Sequence, residues 1–122
     1  MSWTVLLEPR FEAEFDELDE SVQDALAMRV ELLAEFGPGL GRPTVDTLNG
    51  SAYPNMKELR FGAGDGVWRV AFAFDPRRRA VLLVAGDKAG VKSGRFYREL
   101  LRKADARYRD HLTRLTDDGD AP

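Results

Sequence analysis

The chain has 122 residues, 43% hydrophobic and 32% charged, which suits one domain with its own core. It has no cysteine, which excludes disulfides, thiol catalysis and thiolate zinc sites. Its net charge of −3 hides a division: residues 1–56 hold 3 Lys/Arg against 11 Asp/Glu, residues 57–114 hold 15 against 7, and the last eight residues hold 3 Asp and no cation. Such a swing predicts either one acidic and one basic surface, or two halves whose charges pair across the fold. The start, Met1-Ser2-Trp3-Thr4-Val5-Leu6-Leu7-Glu8, lacks the basic end and long apolar stretch of a signal peptide. No apolar run approaches a membrane span, so a soluble, cytoplasmic chain is expected.

Trp3–Glu8 reads as a short buried strand closed by Pro9. Pro9 to Leu18 opens a first helix, with Phe11, Phe15 and Leu18 on one face. Asp19 or Ser21 caps a second helix, whose Val22, Leu26, Val30 and Leu33 recur at helical spacing. Gly37-Pro38-Gly39-Leu40-Gly41-Arg42-Pro43 ends it, and residues 44–55 read as a polar connection with turn signals at Asn49-Gly50 and Pro54. Three strands follow, Lys57–Phe61, Val67–Phe74 and Ala80–Lys88, separated by short turn-rich segments that predict an antiparallel meander. Arg95 to about Leu115 is a terminal helix with Phe96, Leu100, Leu101, Ala104, Tyr108, Leu112 and Leu115 as one stripe. The prediction is therefore a single α+β domain over residues 1–115, in the order β-α-α-β-β-β-α, with helices packed on a largely antiparallel sheet. Residues 116–122 read as an acidic, disordered tail.

Each strand of the meander carries a cation within or at the end of an otherwise apolar run: Arg60, Arg69 and Lys88. Burying an unpaired cation costs several kcal/mol, so three on neighbouring strands point to one anionic ligand such as a phosphate. Arg69 offers a planar fork suited to bidentate phosphate contact, or else a cross-strand partner for Glu58. Lys88 follows Gly86-Asp87 where the chain leaves the sheet, either as a functional cation or paired with Asp87. Lys57, Arg79 (within Arg77-Arg78-Arg79), Lys92 and Arg95 are candidate RNA contacts of the sequence-independent kind, or solvated surface charges. His111, the sole histidine, sits late in the terminal helix and reads as a packing or surface residue. Trp68 and Phe72 read as core.

The string Lys57-Glu58-Leu59-Arg60, the strand Trp68-Arg69-Val70 followed by Phe72-Ala73-Phe74-Asp75, and Gly86-Asp87-Lys88 with Phe96-Tyr97 beyond resemble the RelE/HigB-like toxins, in their phage-derived branch. The resemblance extends over nearly the whole chain, because the element order matches too. It implies a type II toxin acting as a ribosome-dependent mRNA endonuclease with no metal and no cofactor. The ribose 2′-hydroxyl would attack the adjacent phosphodiester while basic residues stabilise the charge. It also implies a cognate helix-turn-helix antitoxin, with contact to DNA only through that partner. Carried over by position, Arg60, Arg69, Lys88 and Tyr97 are the catalytic candidates; the gap from Lys88 to Tyr97 is longer than in better-known members, and the acidic net charge departs from basic relatives. The base and acid are left among Lys, Tyr, Glu and Asp, or the reaction leans on electrostatics alone. The alternative is a catalytically silent module that binds an antitoxin or RNA without cutting. The two readings differ in whether Arg60, Arg69 and Lys88 line one open groove or are tied up by carboxylates.

Overall fold

In the computed structural model, which describes residues 2–117, the run Ala-Val-Leu-Leu-Val from Ala80 is buried on both faces and therefore forms a central strand. The elements are β1 (Val5–Leu7), α1 (Pro9–Asp16), α2 (Glu20–Phe36), a 3-10 turn over Gly37–Gly39, β2 (Val45–Thr47), β3 (Lys57–Ala63), β4 (Gly66–Phe74), β5 (Ala80–Asp87) and α3 (Ser93–Asp117). The sheet order is β1-β5-β4-β3-β2, with β1 parallel to β5 and every other pair antiparallel. The α+β class, the meander of β3, β4 and β5 and the order of helices match the sequence expectation.

Alternation along the strands sends side chains to two cores. Leu59, Phe61, Val70, Phe72, Ala80 and Leu82 pack beneath Phe11 of α1 and Val22, Leu26 and Leu33 of α2. Ala71, Ala73, Val81, Leu83 and Val84 pack beneath Phe96, Leu100, Ala104 and Tyr108 of α3. A bulge opposite Ala71/Phe72 leaves Leu83 without a cross-strand partner. The Leu83 carbonyl instead accepts from Arg107 Nη1 at 2.9 Å, and the same guanidinium holds Glu14 of α1 at 2.6 and 2.7 Å.

Four boundaries differ from expectation. The first strand is shorter than Trp3–Glu8, because the Glu8 side chain turns back to accept from the Arg10 and Phe11 amides and caps α1. The first helix stops at Asp16 rather than Leu18, and α2 starts after Asp19, whose side chain makes no capping bond. The connection 44–55 contains an edge strand, β2, pairing Val45 with Leu59. Three residues with one buried apolar side chain are too few for alternation to show. The last helix runs from Ser93 to Asp117, so Thr116 and Asp117, assigned to the tail, are helical; the rest of that tail lies outside the described residues.

Candidate functional site

Pairing brings Arg60 of β3 directly opposite Arg69 of β4, with Gly86 of β5 next in the row. Leu59, Phe61 and Val70 face the α1/α2 core, so Glu58, Arg60 and Arg69 share the opposite face, which α3 covers only in part. Two like charges opposite each other repel. Each arginine is accordingly met by a carboxylate: Arg60 Nη1 lies 3.8 Å from Asp46 Oδ2 on β2, and Arg69 Nε lies 3.8 Å from Glu58 Oε1.

Tyr97, in the first turns of α3, joins this row. Its hydroxyl donates to Glu58 Oε1 at 2.9 Å and accepts from Arg69 Nε at 3.3 Å. Arg69 Nη1 donates to the Trp68 carbonyl at 2.9 Å, while Nη2 makes no hydrogen bond among the described residues. Lys88 Nζ stands 5.6 Å from the centre of the Tyr97 ring, a cation–π contact. Gly86 has a reason to lack a side chain: a Cβ there would come within 2.9 Å of the Phe96 ring, the residue beside Tyr97. Burial raises the Tyr97 pKa above its ordinary value; the Arg69 hydrogen bond works against this and Glu58 adds to it. The phenol is thus a proton donor at neutral pH.

Arg60 and Arg69 line one shallow groove of about 350 Å³, with Pro43, Phe61, Gly62, Gly66 and Val67. Neither side of the choice posed by the sequence therefore holds alone: the arginines share a groove, yet Arg69 is also engaged by Glu58 and Tyr97. Asp87 does not pair with Lys88; its Oδ1 accepts from the Val67 and Ala89 amides at 3.0 and 2.9 Å and fixes the strand end.

The other predicted contacts fall elsewhere. Lys57 opposes Phe72 and sits on the α1/α2 face, away from Arg60. Arg79 lies beyond the far end of β4, about 20 Å along the strand from Arg69, and donates twice to Asp75 Oδ2 at 2.9 and 3.1 Å. Lys92 and Arg95 are exposed and line a larger cavity of about 520 Å³ between β5 and the start of α3, which does not include Arg60, Arg69, Lys88 or Tyr97. Arg60 and Arg69 share the smaller groove, and Tyr97 and Glu58 meet Arg69 at its side. His111 is buried, its Nε2 at 2.9 Å from Asp75 Oδ2, and it ties α3 to the β4–β5 hairpin, as a packing residue would.

Glu58 is the site residue that sequence reasoning undervalued, as a mere partner for Arg69. Its signal was present: two residues before Arg60 on a strand means the same face. Among the described residues no group of three or more His, Asp or Glu is placed to hold a metal. No helix among them is long and apolar enough to cross a membrane.

The family model for phage-derived Gp49-like proteins matches residues 13–109. HigB2 of Mycobacterium tuberculosis, named as a candidate toxin, is 42% identical over 118 residues, 96% of this chain and 58% of that protein, so the chain spans well under two thirds of that relative. HigB3 of the same organism, named likewise, is 48% identical over 86 residues, 70% of this chain and 74% of its own length. The E. coli toxin RelE superposes with a TM-score of 0.63 in a free mutant form, at 16% identity, covering 88% of this chain and 98% of RelE. The isolated RelE toxin gives 0.56 at 14% identity, covering 83% and 97%. At such identities the superposition speaks to fold alone.

Proposed function

The chain belongs to the phage-derived Gp49-like family of RelE/HigB-like toxins, and from that membership we propose that it is the toxin of a type II toxin-antitoxin pair, an endoribonuclease that cuts mRNA on the ribosome. The observation that carries this reading is the convergence of Arg69, Tyr97 and Glu58 beside a groove that Arg60 also lines.

Arg60 and the unpaired Nη2 of Arg69 bind the non-bridging oxygens of a scissile phosphate, with Lys88 adding positive charge. The ribose 2′-oxygen bonds to phosphorus as the bond to the 5′-oxygen breaks. Glu58 takes the 2′-hydroxyl proton and Tyr97 gives its proton to the departing oxygen, leaving a 2′,3′-cyclic phosphate and a 5′-hydroxyl end. The 2.9 Å bond between Tyr97 and Glu58 then returns the proton and resets the pair. No metal or cofactor takes part in this scheme. Lys92 and Arg95 extend the cationic surface for backbone contact, whereas Lys57 and Arg79 are set apart from it. A cognate helix-turn-helix antitoxin silences the protein in the cytoplasm.

The engagement of Arg69 by Glu58 favours a second reading, a silent module that binds its antitoxin or RNA without cutting. Inducible expression without any partner, with growth followed and mRNA 5′-ends mapped, separates the two. Growth arrest with new ends inside translated frames is the expected result. Normal growth with soluble, folded protein assigns the silent module.

A further inference from the structure

Helix α2 exposes Met28, Leu32 and Phe36 at 62%, 37% and 52%, large apolar side chains four residues apart. At i, i+4 and i+8 they form one stripe over two turns, on the side of α2 turned away from Val22, Leu26 and Leu33. A solvated helix places polar residues on such a face, and an apolar patch with a polar rim marks an interaction surface.

The rim is mostly acidic. Glu31 and Glu35 run beside the stripe and Asp24 lies at its N-terminal end, and none of the three has an ion pair among the described residues. Arg29, the sole cation of α2, is drawn inward: its guanidinium lies 5.5 Å from the Phe61 ring and Nη1 donates to the Ala25 carbonyl. A shallow cavity of about 350 Å³ lined by Met28, Arg29, Glu31, Leu32, Glu35 and Thr44 gives the stripe relief. Arg29 thus shares the cavity with Glu31 and Glu35 without forming an ion pair to either. This surface lies on the opposite side of the sheet from Arg60 and Arg69, and its charge repels nucleic acid.

We propose that the Met28–Leu32–Phe36 stripe docks a cationic amphipathic helix of a protein partner, apolar residues seated on the stripe and Lys/Arg against Glu31, Glu35 and Asp24. Helix-on-helix docking of this kind takes its anchors at matching spacing. The inference stands apart from the nuclease reading, because it uses none of the groove residues.

The test is fluorescence anisotropy with two synthetic amphipathic helices that share one leucine face, one carrying Lys and the other Glu on its polar face. The Lys peptide is expected to bind about tenfold or more tightly than the Glu peptide. Leu32→Ser with Phe36→Ser, both exposed positions and checked for folding by circular dichroism, weakens it about tenfold or more. Glu31→Lys with Glu35→Lys reverses the preference, and Arg69→Ala leaves it unchanged. Equal binding of the two peptides, or no response to the stripe variants, overturns the proposal. So does light scattering that shows the wild type self-associating through this stripe, since the occupant would then be a second copy.

Discussion

Arg69 is held by three oxygens, the Trp68 carbonyl, the Tyr97 hydroxyl and, at longer range, Glu58, so its guanidinium arrives at the groove already oriented. Arg69→Ala is expected to lower RNA cleavage by about 100- to 1,000-fold and to cost about 1–3 kcal/mol in urea unfolding, because Glu58 loses its cation. Arg69→Lys restores the charge but not the fork, so it recovers stability more fully than cleavage. Tyr97→Phe removes the proposed acid and should slow cleavage about 100-fold. The raised Tyr97 pKa adds a signature: a group that holds its proton more tightly when folded stabilises the protein below an unfolded pKa of about 10, and that contribution fades as pH rises through the folded value. Urea midpoints between neutral and strongly alkaline pH should fall less steeply in Tyr97→Phe than in the wild type. Strand alternation made the shared face of Glu58, Arg60 and Arg69 legible in the sequence. The place of Tyr97 was not, because it depends on how α3 crosses the sheet, where Phe96 packs against Gly86, a long-range contact rather than a local pattern.

Among the elements, the end of α2 is tightly specified. Gly37 has φ 54° and ψ −136°, a conformation that side chains disfavour, and the Trp3 indole occupies the space a Cβ would need. Gly37→Ala must both strain the backbone and expel Trp3 from its contacts with Phe74 and the Arg78 guanidinium. A loss of about 2–4 kcal/mol in thermal or urea unfolding is expected. The glycine-proline cluster after α2 marks where the helix stops, but carries no sign that Trp3 closes over it. β2 escaped notice for a related reason: its identity comes from pairing with β3, a long-range fact, and its three residues carry almost no local signal.

Across the molecule, the charge division resolves into both of its possible meanings. Arg107 meets Glu14, Arg114 approaches Glu8, and Arg60 approaches Asp46, so part of each half neutralises the other. Most remaining acids of the first half sit on α1 and α2, while the remaining cations of the second half divide among the groove, the β4–β5 hairpin and α3. Asp75 anchors the hairpin end of this arrangement. Burial would raise its carboxyl, yet bonds from His111 and from the Arg79 backbone and side chain outweigh that and hold it below the ordinary carboxylate range. The Arg107 hydrogen bond lowers Glu14 in the same direction, against a smaller effect of burial. Groups lowered in this way stabilise the fold above an unfolded pKa of about 4, and their contribution is lost as pH falls through the folded value. Asp75→Asn is expected to cost about 3 kcal/mol near neutral pH and to flatten the decline of the urea midpoint as pH falls below about 4, the unfolded carboxylate value.

The parallel seam of β1 against β5 sets an order of birth for the molecule. Val5–Leu7 emerge from a ribosome long before Ala80–Leu82, the strand they must lie beside, and Tyr97 follows later still. Contacts so far apart in the chain cannot form until both partners have been made. A chain made only as far as β4 therefore holds Arg60 and Arg69 without the Tyr97 phenol that meets Arg69. Under the proposed function, cleavage waits on Tyr97, the last of the candidate residues to be made.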